Sequence, residues 1–122
     1  MKFRDESHIE MRQALRDLCS RFPPEYHRSH DAQASYPVEF IDALTEAGWL
    51  AAMIPEEYGG SGLGLTEATL VMEEINRSGA NAGHCHGQMY NMGTLLRHGS
   101  AAQRRNICQK SRRAHCVSNR WE

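Results

Sequence analysis

By residue type, His84, Cys85 and His86 are the side chains most suited to chemistry. They are three metal-ligating groups in a row, with His98, Cys108 and His115 as further donors. A bound metal would require them to converge. Consecutive helix residues point about 100° apart, so three adjacent side chains diverge instead. Structural zinc sites also pair ligands across two to four residues, which this run does not do. No metal site is expected. A second candidate is Gly59-Gly60-Ser61-Gly62-Leu63-Gly64, with four glycines in six positions. It lacks the preceding strand and spacing of a dinucleotide fingerprint, and the Gly-Lys-Ser/Thr ending of a P-loop. It reads as a structural loop whose glycines supply positive φ. Asp42, Glu46, Glu56 and Glu57 have no partner that would make an acid/base pair, and read as solvated charges.

These residues sit in a chain of 122 residues, long enough for one small domain. A net charge of −1 gives no attraction to nucleic acid or to a membrane surface. No apolar run approaches the roughly 20 residues needed to cross a bilayer. Lys2, Arg4, Asp5 and Glu6 open the chain without an apolar stretch behind them, so no secretory signal is expected. The four cysteines, Cys19, Cys85, Cys108 and Cys116, lack framework spacing and read as reduced thiols of a cytoplasmic protein.

The positioning elements read as helices. Met11, Leu15, Leu18 and Phe22 share one face of a first helix, which Pro23-Pro24 stops. Residues 25–35 are polar and show no core-forming pattern. A second helix starts after Pro37, turns Phe40, Ile41, Leu44 and Ala47 inward, and ends at Gly48. The third spans Thr66 to Arg77, with Thr66 as its N-cap and Leu70, Val71 and Ile75 buried. The fourth runs from Ala82 to Arg97. Its Gly83 and Gly87 each cost roughly 1 kcal/mol of helix propensity, which close approach of a neighbour or ligand would explain. No strand and no repeat is predicted.

The glycine loop matters most through its flanks. Ile54-Pro55-Glu56-Glu57-Tyr58-Gly59-Gly60 follows Leu44-Thr45-Glu46-Ala47-Gly48-Trp49-Leu50 and precedes Val71-Met72-Glu73-Glu74-Ile75-Asn76-Arg77-Ser78-Gly79. In this order, without a large gap from about Phe22 to Arg105, the chain resembles the N-terminal domain of the FAD-dependent acyl-CoA dehydrogenases. The resemblance implies an all-α fold of about four to five helices. It also implies an intact enzyme, usually a homo-oligomer, that oxidises acyl-CoA to trans-2-enoyl-CoA and passes electrons to an electron-transfer flavoprotein. The family's catalytic glutamate and most of its flavin surface belong to later domains, so no catalytic residue is assigned to this chain. The N-terminal domain contributes one wall of the acyl pocket, and the pocket-facing places fall on His84, Gln88, Met89 and Met92. Three of them, His84, Gln88 and Met92, lie four apart on one face, and methionines suit an apolar chain.

After Arg105 the pattern breaks. Where the family continues Tyr-Leu-Pro-x-Ile-Ala-x-Gly-x-Leu, residues 106–122 hold two of the four cysteines and no hydrophobic period. The genetic code allows a repair. With one adenine restored after codon 105, a permitted back-translation reads Lys-Tyr-Leu-Pro-Lys-Ile-Ala-Ala-Gly-Ala-Leu-Arg-Leu-Gln-Ser-Met-Gly. Two junctions leave no choice: His115-Cys116 must give leucine in that frame, and Trp121-Glu122 must give glycine. Residues 1–105 therefore read as the family domain and 106–122 as the poorly packed product of a single-base deletion. A fragment so truncated is expected to be inactive. The alternative is a small non-enzymatic helical interaction module.

Overall fold

A computed structural model describes residues 5–111, and among these no strand occurs. Six α-helices follow in order: α1 Glu6–Ser20, α2 Pro24–Ala32, α3 Val38–Glu46, α4 Leu65–Arg77, α5 Gly83–His98 and α6 Ala101–Ser111. Two short 3-10 turns, Trp49–Ala51 and Glu56–Tyr58, lie between α3 and α4. The all-α class holds, with a helix count slightly above the four to five expected.

The core forms where the apolar faces meet. Leu15 and Leu18 of α1, Phe40, Ile41 and Leu44 of α3, and Val71 and Ile75 of α4 close over one another, with Cys85 and Met89 of α5 completing the cluster. Burying each large apolar side chain is worth roughly 1.5–3 kcal/mol, so this cluster is what sets the helix orientations. A smaller cluster of Ala51, Ile54, Met92 and Cys108 ties the 3-10 turns to α5 and α6.

Three elements depart from the sequence reading. Residues 25–35 contain α2, a helix that buries no residue. It is held instead by Pro24 in its first turn and by rings: Tyr26 packs on Phe22, and His27 meets Phe40 edge-on at 4.9 Å. Helix α4 begins at Leu65 with Gly64 as N-cap, so Thr66 lies inside its first turn. The Glu67 carboxylate supplies the cap by accepting the Gly64 N–H at 3.0 Å. Finally, α6 continues across Arg105 and Asn106, and Cys108 is fully buried. Loss of packing therefore does not begin at residue 106; residues 112–122 of the expected tail lie outside the described residues.

The glycine loop is pinned to the segment before it. Gly60, Ser61, Gly62 and Leu63 donate their N–H groups to the carbonyls of Pro55, Ala51, Ile54 and Ala52. At Gly60 an added Cβ would sit 2.0 Å from the Ile54 carbonyl oxygen, so only glycine permits this closure.

Candidate functional site

Helix α5 carries every residue that the sequence placed in the acyl wall. Two asparagines set its start. Asn76 accepts the Ala82 N–H at 3.1 Å and Asn81 accepts the Gly83 N–H at 2.7 Å, satisfying donors that a helix N-terminus leaves open. From there α5 crosses the domain with one face turned in and one turned out.

The inward face holds most of the predicted wall. Gln88 is 3% exposed, Met89 6% and Met92 3%. Met89 belongs to the main cluster and Met92 to the smaller one. His84 stays half-buried, its ring edge-on to Tyr36 at 4.7 Å, and opens to a cleft beside α2. Of the three residues that the spacing puts on one face, Gln88 and Met92 close inside the domain with Met89, and only His84 stays open. Burial pushes the His84 imidazolium pKa down, which keeps this ring neutral near pH 7.

The outward face is unlike it. His86 and Asn91 are exposed, and Tyr90 is 68% exposed although large and aromatic. A Cβ added at Gly87 or at Gly93 would meet nothing within 4 Å. No neighbour among the described residues accounts for these glycines. In the sequence this face shows as two glycines flanking a tyrosine within a helix.

Adjacent residues on α5 diverge as helix geometry dictates: Cys85 is buried while His86 is exposed. Among the described residues no three His, Cys, Asp or Glu side chains are placed to hold a metal ion. His115 lies outside them. The Cys85 thiol, 4.0 Å from the Met89 sulfur, is pushed up to about 12 by burial and is no nucleophile near neutrality. The loop amides of residues 60–63 already donate to backbone carbonyls, so they have no donors left for a phosphate. Asp42, Glu46, Glu56 and Glu57 are exposed. No helix among the described residues is long and apolar enough to cross a membrane.

One residue escaped the sequence reading. Glu74 lies within the apolar period of α4, between Val71 and Ile75, with its side chain fully buried. It accepts hydrogen bonds from Arg12 and Arg16 of α1. Burial alone would raise its carboxyl pKa; the Arg16 and Arg12 hydrogen bonds outweigh that and hold it below the ordinary carboxylate value.

Residues 5–113 match the family described as acyl-CoA dehydrogenase, N-terminal domain. Among curated relatives, the probable acyl-CoA dehydrogenase FadE25 of Mycobacterium tuberculosis (strain ATCC 25618 / H37Rv) is 36% identical over 94 residues, covering 75% of this chain and 24% of that protein. The probable acyl-CoA dehydrogenase YdiO of Escherichia coli (strain K12) is 32% identical over 104 residues, covering 80% of this chain and 26% of its own length. The short-chain specific acyl-CoA dehydrogenase, mitochondrial, of Mus musculus is 30% identical over 102 residues, or 81% and 24%. The chain spans about a quarter of the length of these relatives.

Proposed function

The chain belongs to the acyl-CoA dehydrogenase family, and on that premise we propose that it is the N-terminal helical domain of an enzyme that converts acyl-CoA to trans-2-enoyl-CoA with FAD. The intact protein would be a cytoplasmic homo-oligomer that hands electrons to an electron-transfer flavoprotein. The described residues do not themselves fit a flavin: the glycine-loop amides are already paired, and the site candidates on α5 face the core or open solvent. The family resemblance assigns the base and most of the flavin surface to later domains of the intact enzyme, so on this reading the chain by itself would not turn over acyl-CoA.

The outer face of α5 carries this reading. Gly87 and Gly93 weaken a helix and serve no neighbour within 4 Å, while Tyr90 stands exposed between them. A helix built to meet a substrate or a second domain would look like this. We assign the acyl-facing wall to the surface around Gly87, Tyr90 and Gly93. His84 lies at its edge, and Gln88, Met89 and Met92 support it from within. Tyr90→Ala in the frame-repaired enzyme should shift chain-length preference; an unchanged preference would remove the assignment.

We also propose that the division between residues 105 and 106 lies in the gene rather than in the packing. The restored frame puts Tyr and Leu where Ile107 and Cys108 stand. The shifted frame thus keeps apolar residues at both positions, and Cys108 still fills the small cluster. That self-sufficient packing is also what favours the second reading, a small helical interaction module. Expression of the gene with one adenine restored separates the two: a yellow protein that reduces dye in response to acyl-CoA supports the enzyme.

A further inference from the structure

A cleft of about 370 Å³ opens between α2, the start of α3, the α4–α5 turn and the first turn of α5. It adjoins the outer face of α5 at His84, which lines both. Its walls bring together His27, Arg28, His30 and Asp31 of α2, Asn81 of the turn and His84 of α5. The Nε2 atom of His27 is buried and has no hydrogen-bond partner. Its ring is fixed edge-on between Phe40 at 4.9 Å and Tyr26 at 5.2 Å. A buried polar atom left unpaired is costly and rare in native proteins.

We propose that this cleft binds a small oxyanion, of carboxylate or sulfate type, between His27, His84 and Arg28. A neutral imidazole offers one donor and one acceptor, whereas an imidazolium offers two donors. Protonation thus makes the orphaned Nε2 of His27 a donor. That atom is closed to solvent, so an oxyanion entering the cleft must displace its cover, and then supplies both its acceptor and its counter-charge. Without the anion, burial disfavours the charged form of both His27 and His84. Anion and protons therefore bind together, and affinity rises as pH falls.

The surrounding charges set the limits. Arg28 pairs with Glu25 at 2.8 Å, but both are largely exposed, and such surface pairs hold weakly. His30 shares a hydrogen bond with the Ser35 hydroxyl through Nδ1 at 2.8 Å. Glu39 of α3 acts at one remove, accepting a hydrogen bond from the Tyr26 hydroxyl at 2.7 Å. Tyr36 abuts His84, and Asn81 adds no charge. Asp31 is the one wall group that opposes an anion.

Side-chain 15N–1H spectra of histidine in the 122-residue chain, titrated with sodium sulfate at fixed ionic strength near pH 6 and pH 8, test this. Sulfate is a dianion throughout, so any pH dependence belongs to the protein. Saturable shifts of His27 and His84 are expected near pH 6, with affinity at least about tenfold weaker near pH 8. Asp31→Asn should tighten binding at both values. Arg28→Gln, an exposed change that leaves the helical signal intact, should weaken it, as should His84→Gln. Acetate in parallel tells a carboxylate from a doubly charged ion, and saturation by either supports the proposal. It fails if neither anion saturates, if Arg28→Gln and His84→Gln leave the titration unchanged, or if only zinc chloride moves the rings.

Discussion

Glu74 of α4 and Arg16 of α1 meet through two hydrogen bonds, Nε to Oε2 at 2.9 Å and Nη2 to Oε1 at 3.0 Å, around a carboxylate closed to solvent. Arg12 adds a donor to the same carboxylate and reaches Glu73 at 2.8 Å. The network fixes the register of α1 on α4. Removing Arg12 and Arg16 would leave the buried charge facing only the exposed Arg77 at 3.9 Å, a loss that approaches the cost of an unpaired buried charge, about 3–5 kcal/mol. The pair Arg12→Ala and Arg16→Ala should therefore bring the domain close to unfolding, and Arg16→Ala alone should cost less. A urea midpoint that stays constant in the double variant would show the network to be ornamental.

Acid should act in two stages. The folded pKa values of His27 and His84 lie below the ordinary 6.5, first because of burial. The unfolded chain then binds more protons, and stability falls once the pH drops below about 6.5. The carboxyl pKa values of Glu74 and Glu67 lie below 4.5, the latter chiefly through its hydrogen bond with His8. Their contribution is complete above about pH 4.5 and disappears as pH falls through the folded values. Denaturation midpoints near pH 7.5, 5.5 and 4 should decline at each step. A flat response down to pH 4.5 would mean that the histidines are not as enclosed as described.

Glycines of the loop and of α5 should respond in opposite ways. Gly60→Ala drives a Cβ into the Ile54 carbonyl and should cost about 1–3 kcal/mol. Gly87→Ala meets open space in this chain and should gain up to about 1 kcal/mol from helix propensity. In the frame-repaired enzyme the same Gly87→Ala should lower kcat/KM for acyl-CoA. Melting curves and dye-reduction assays read the two effects separately. A neutral outcome in the repaired enzyme would detach the outer face of α5 from substrate.

Cys19, Cys85 and Cys108 are buried, and burial raises the pKa of each thiol. All three should react with a disulfide reagent only as the chain unfolds, at rates that follow urea concentration. Prompt modification of Cys108 in the folded chain would show that α6 does not seal the small cluster.

The inward faces of α1, α3 and α4 were legible because Leu15, Phe40, Leu44, Val71 and Ile75 recur at helical spacing and all are buried. Helix α2 was not legible, since rings and a first-turn proline hold it without a buried stripe. Helix α6 was missed because its apolar residues, Ile107 and Cys108, carry no period of their own. On α5 the spacing puts His84, Gln88 and Met92 on one face, and the structure buries Gln88 and Met92 of it. Which way it points depends on the 3-10 turns and α6, whose placement no local pattern encodes. Glu74 shows the same limit: its partners lie 58 and 62 residues away.

The DNA downstream of codon 105 tests the central claim most directly. With one adenine restored, the frame should run on through the three-quarters of the relatives' length that this chain lacks, and encode the base and the flavin site. A stop codon or unrelated sequence in that frame would contradict the account and leave the chain as a helical module in its own right.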